Sequence, residues 1–159
     1  MLNEGMNQNA AVTDAIAYLR QGRSAEAFLI LSEPGNEKNP AARYALGLCH
    51  YKAGDLPAAI SCFDQALSLL RTMPSKHRSA AENTETYLML SKGQIADKIF
   101  LNPMDSSFCA LFPKTAEQTI ILASIEIYLQ MGMKDKAKQL SAGLTGSVFE
   151  IYKNELLKI

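Results

Sequence analysis

Between Pro40 and Pro74 the chain reads PAARYALGLCHYKAGDLPAAISCFDQALSLLRTMP, and this stretch leaves few folds open to the rest. It predicts two amphipathic helices joined by a tight turn. The first runs from about Pro40 to Ala53, with Asn39 as N-cap and Pro40 at the first helical position, where a missing N–H costs nothing. Gly54 and Asp55 break it. The second runs from Asp55 to about Arg71, with Pro57 inside its first turn, and carries Leu56, Ala59, Ile60, Phe63, Ala66, Leu67 and Leu70 at three- and four-residue spacing. Small residues at Gly47, Ala58, Ala59 and Ala66 let the two backbones close on each other and leave apolar surface at both ends. Such a pair requires neighbours.

Leu46, Gly47, Ala59 and Phe63 follow the L-G, A-x-x-x-F pattern of the tetratricopeptide repeat, of roughly 34 residues, and Gly54, Asp55 and Ala66 fit its turn and second helix. The stretch resembles that family. It departs where the pattern has Trp (Arg43, then Tyr44), where it has Tyr (His50, then Tyr51), and in a closing proline three residues late, Pro74. The resemblance implies an all-α fold of antiparallel helix pairs stacked as a short right-handed solenoid with a C-terminal capping helix. It also implies a habit of binding protein segments, without naming one.

The flanks support an internal repeat. On the N-terminal side, Ala10 to Gln21 forms a helical stripe ended by Gly22, and Ser24 is expected to cap a short helix, AEAFLILS, stopped at Glu33-Pro34-Gly35-Asn36. Gly22 against Gly54 and Ala27 against Ala59 share one offset of 32 residues. Near the other end YLQMGMKDKAKQL parallels YLRQGRSAEAFLI, with Gly132 against Gly22 and Ala137 against Ala27. Ile120 to Met131 is the most apolar helix, with Thr115 and Gln118 as its expected capping box; Ala137, Leu140 and Leu144 are placed on the helix after it. Between the copies, Ser79 and Glu82 suggest a cap for a helix to about Lys92, and Gln94 to Leu101 a short helix. MDSSFCALFP, opened by Asp105 and Ser106, fits no repeat and reads as an inserted helical turn. Ser147 with Glu150 caps a last stripe. The expected organisation is one domain, 1–159, with units at about 8–39, 40–74, a degenerate 75–113 and 114–146, and a closing helix at 147–159.

Sixteen basic and sixteen acidic residues are interspersed and cancel, so no basic stripe points to nucleic acid or an anionic membrane. No leader-like N-terminus or spanning apolar run is read, and the expected location is cytoplasmic. Cys49, Cys62 and Cys109 are too widely spaced for a disulfide framework or a metal pattern, and read as packing residues. Catalysis, cofactor and metal are not expected: no HExxH, CxxC, GxSxG or GxxxxGK[ST] occurs, His50 reads as a partly buried packing residue, and His77 as solvated.

The groove expected on the first helices would be lined by Ile16 and Arg20 in the first unit, Tyr44, Leu48, Tyr51 and Lys52 in the central one, and Leu122 and Glu126 in the last. The basic clamp with which relatives in this family grip acidic chaperone tails has no counterpart, because Val12, Ile16 and Ala45 occupy the matching positions. An adaptor holding a partner segment by hydrophobic side chains is the leading reading. The others are a secretion-type chaperone for an aggregation-prone client, to which the size and three-repeat build are similar, and a ligand-binding protein or enzyme using residues 101–117 as a lid over a pocket, with His50 as its most plausible base. Homodimerisation through the closing helix is a further expectation.

Overall fold

The computed structural model describes residues 2–73, 98–144 and 154, and every regular element among them is helical. α1 (Leu2–Arg20) pairs with α2 (Ser24–Leu31), and α3 (Pro40–Lys52) with α4 (Leu56–Thr72). A 3-10 turn (Ile99–Leu101) and α5 (Ser106–Leu111) follow, and α6 (Pro113–Gln130) pairs with α7 (Lys134–Ser141). Neighbouring helices pack in contact, α2 against α3 and α4 against α6. The arrangement is that of stacked helical hairpins. The pair at 113–141 therefore sits directly on the central pair, and the described elements between them, the 3-10 turn and α5, lie alongside α3 and α6.

One turn, used three times, sets the angle within each pair. Gly22, Gly54 and Gly132 have φ of 78°, 83° and 74°, the left-handed conformation that a Cβ disfavours. At each, the glycine N–H bonds a carbonyl three residues back, Leu19, Tyr51 or Leu129, at 3.0 Å. The next N–H reaches five back: Arg23 to Tyr18 at 2.8 Å, Asp55 to His50 at 2.9 Å and Met133 to Tyr128 at 2.8 Å. This double closure satisfies the last carbonyls of the first helix and turns the chain into the second. Five residues beyond each turn glycine, Ala27, Ala59 and Ala137 are all wholly buried, a small side chain where the paired backbones approach.

The central pair is the closest-packed. A Cβ at Gly47 would lie 2.5 Å and 2.6 Å from Phe63 ring carbons, which is why α4 can lay an aromatic ring across α3 at this position. Asn39 caps α3 as expected, its side-chain oxygen accepting from Ala41 and Ala42 N–H at 3.0 Å and 3.2 Å. Asp55 caps α4 through Ala58 N–H at 3.2 Å. α6 is buried without interruption from Ile120 to Ile127, because α4, α5, the 3-10 turn and α7 surround it.

Several local expectations are corrected. Ser24 is the first residue of α2, and Arg23 takes the cap position without a side-chain bond; the glycine turn, not the hydroxyl, sets where the helix begins. Thr115 does not form a capping box, because Pro113 starts α6 two residues earlier and its locked φ already suits a helix. The buried Thr115 Oγ1 has no hydrogen-bond partner among the described residues. α1 begins at Leu2, not near Ala10, since polar residues without proline do not stop a helix that its packed end has nucleated. α7 ends at Ser141, so Leu144 lies beyond it, yet it is buried. The inserted turn is present as α5, with Asp105 accepting from Phe108 N–H at 2.7 Å. The caps at Ser79 and Ser147, and the helices they would open, lie outside the described residues.

A candidate binding site on the first-helix face

The first helices of the three pairs, α1, α3 and α6, border a cavity of about 830 Å3. Leu19 and Arg20 come from the end of α1, Leu48, Tyr51 and Lys52 from α3, and Thr119 from α6. Its remaining wall is the segment from Lys98 to Phe108. Four of the groove residues expected from sequence, Arg20, Leu48, Tyr51 and Lys52, thus come together at one opening. Arg20 and Lys52 are exposed, Tyr51 is half-buried, and Leu48 forms floor at 1 % exposure.

The other four expected residues do not face this opening. Ile16, Tyr44 and Leu122 are buried to 1 %, 0 % and 1 % exposure, and sit in the core. Tyr44 stacks on Phe63, ring centroids 5.0 Å apart, and its hydroxyl donates to the Phe100 carbonyl. Burial pushes that phenol far above its ordinary range, with Cys109 adding a little; Tyr44 is a fixed neutral donor. Glu126 is buried beneath the rim, pairing with Lys98 and accepting from Gln130 Nε2 at 3.1 Å. Gln130 Nε2 also donates to Tyr51 Oη at 2.9 Å. A polar chain therefore runs from Lys98 through Glu126 and Gln130 to Tyr51 and holds its ring at the opening. The hydrogen bond from Lys98 to Glu126 raises the ammonium pKa above its ordinary value, keeping that end of the chain cationic.

Lys98, Leu101, Asp105 and Phe108 were not among the expected site residues. Their one sequence signal is that MDSSFCALFP is apolar and out of register with the repeat, which marks the segment as different without saying which face it covers. His50 does not line the cavity. Its ring meets Phe28 edge-on at 5.6 Å, with Nδ1 3.9 Å from Asp55 Oδ2. Residues 101–108 therefore wall a pocket, while His50, the base that a catalytic reading would use, is not among the residues lining it. Cys49, Cys62 and Cys109 are free and buried, as expected of packing residues; burial pushes the thiols of Cys49 and Cys109 up to about 11 and about 12. Among the described residues no cluster of three or more histidine, cysteine, aspartate or glutamate side chains could hold a metal ion. No helix among them is long and apolar enough to cross a membrane.

Residues 40–72, the central pair, match the tetratricopeptide repeat family model. No curated protein and no solved structure matches the chain.

Proposed function

We propose that this chain, which carries a tetratricopeptide repeat at residues 40–72, is an adaptor that holds a segment of a partner protein in the cavity between α1, α3 and the 98–108 wall. The repeat supports an interaction module in general terms. The observation that carries the specific reading is the composition of the opening: apolar floor at Leu19 and Leu48, a hydrogen-bonded tyrosine at its edge, and two exposed cations, Arg20 and Lys52, that make no ion pair among the described residues. A segment with an apolar anchor beside a carboxylate suits it, the anchor displacing water from the floor and the acid meeting the cations at the rim. On this reading the stack from 8 to 146 with its closing helix is a single binding unit, and catalysis is no part of its role.

The test is site-specific photo-crosslinking of the full chain in its native extract. A crosslinker at Tyr51 is expected to yield discrete partner adducts that disappear in Arg20→Glu/Lys52→Glu, while one at Gln65, exposed and outside the cavity, does not yield them. Identical adducts from both positions, or adducts indifferent to the charge reversal, would reject the site.

A further inference from the structure

A first helix in a stack of hairpins is covered by its own partner and by its neighbours, and one side is left open. α3 departs from this. From Ala41 to Cys49 every residue except Arg43 is buried, and residues 98–111 supply part of the cover. Phe100, Met104 and Cys109 are buried to 3 %, 7 % and 1 % exposure. The segment is tied down by polar contacts: the Tyr44 hydroxyl to the Phe100 carbonyl, Asn39 Nδ2 to Ser106 Oγ at 3.1 Å, and Lys98 to Glu126. It touches α3 through α5, and α6 through both α5 and the 3-10 turn. Apolar anchors, a backbone carbonyl taken by a side-chain hydroxyl and an ion pair at one end are how a bound peptide is held.

Two further features distinguish this segment from a structural layer. The stack bypasses it, since α4 packs directly along α6. Its first described residue, Lys98, has φ of 50°, a left-handed backbone disfavoured for a side chain of this length, and is the residue whose ammonium reaches Glu126. A conformation of this kind persists when surrounding contacts hold it.

We infer that residues 98–111 are an intramolecular occupant of the first-helix face: a strap latched by Lys98–Glu126 that detaches while the three helix pairs remain folded, uncovering the face of α3 around Tyr44. Release of the strap enlarges the cavity of the proposed adaptor, but the inference does not rest on that function, because opening is measured on the protein alone.

Cys109 is the reporter. It lies on the strap's own helix, α5, and is buried in the closed state, where its raised thiol pKa keeps it unreactive. Full-length protein is treated with a thiol reagent across a series of low urea concentrations, and modification of Cys109 is followed by residue-resolved mass spectrometry. Its labelling rate is expected to be nearly independent of urea where the global unfolding transition is not, as for an opening that exposes little surface. Glu126→Gln and, from the exposed end of the same pair, Lys98→Gln are each expected to raise the rate about two- to fivefold, the range for a partly exposed ion pair, with the unfolding midpoint unmoved. A Cys109 rate that rises with urea as steeply as global unfolding, or that follows the midpoint in every variant, overturns the inference. Should Glu126→Gln shift the midpoint itself, Lys98→Gln decides the outcome.

Discussion

Replacing Gly47 by alanine sets two effects of opposite sign against each other. Mid-helix glycine is roughly 1 kcal/mol less favourable than alanine, so propensity alone makes Gly47→Ala stabilising. The structure places the new methyl 2.5 Å and 2.6 Å from Phe63 Cε1 and Cδ1, and 3.1 Å from Cys62 Cβ. The ring has nowhere to go: Phe63 is wholly buried against Tyr44, and Tyr44 is pinned through its hydroxyl to Phe100. Overpacking of this kind costs about 1–3 kcal/mol, and a clash with a rigid, enclosed ring belongs to the upper part of that range. The net expectation is destabilisation by about 1–2 kcal/mol, or roughly 2–8 °C in Tm for a chain of this size. Urea unfolding followed by far-UV circular dichroism measures it. In a Phe63→Leu background the same substitution should cost at least about 0.5 kcal/mol less, because its steric partner is gone. A Gly47→Ala protein as stable as the parent, or more so, would show that α3 and α4 are not as close as described and would refute the account of the central pair.

Asn39→Ala removes the α3 cap and the tie to Ser106 together; a loss of about 0.5–2 kcal/mol is expected by the same assay, and Asn39→Asp should keep the cap while losing the Nδ2 donor to α5. The buried thiols give an alkaline limit. Cys49 and Cys109 stay protonated in the fold to about 11 and about 12, whereas unburied thiols ionise from 9.0, so unfolding releases protons above that pH and stability falls as pH rises. Unfolding midpoints should decline from about pH 9, and less steeply in Cys49→Ala/Cys109→Ala; a flat profile in the parent would contradict the burial of these groups.

The parts of the fold legible in sequence are those fixed within one turn of chain. Asn39-Pro40, Gly54-Asp55 and the glycines at 22 and 132 each act on backbone groups a few residues away, and each does what its chemistry prescribes. Ser24 and Thr115 show where such reading fails: both are good capping residues, but the helix start beside each is dictated by a stronger device, a left-handed glycine in one case and a proline in the other. The candidate site divides the same way. Arg20, Tyr51 and Lys52 lie near the ends of first helices, where repeat register alone brings them to the opening. Tyr44 lies on the same stripe but is sealed by Phe100, 56 residues away. Hydrophobic periodicity marks the face that wants cover, not which distant segment supplies it.

The junction between α4 and α6 has a further consequence. Between the first two pairs the chain takes eight residues, 32–39, to pass from second helix to first; between the next two it takes forty, 73–112, and the same helix-on-helix packing is reached. Helix-on-helix packing at this seam therefore does not depend on a short connection, since pairs joined by eight residues and by forty reach it alike.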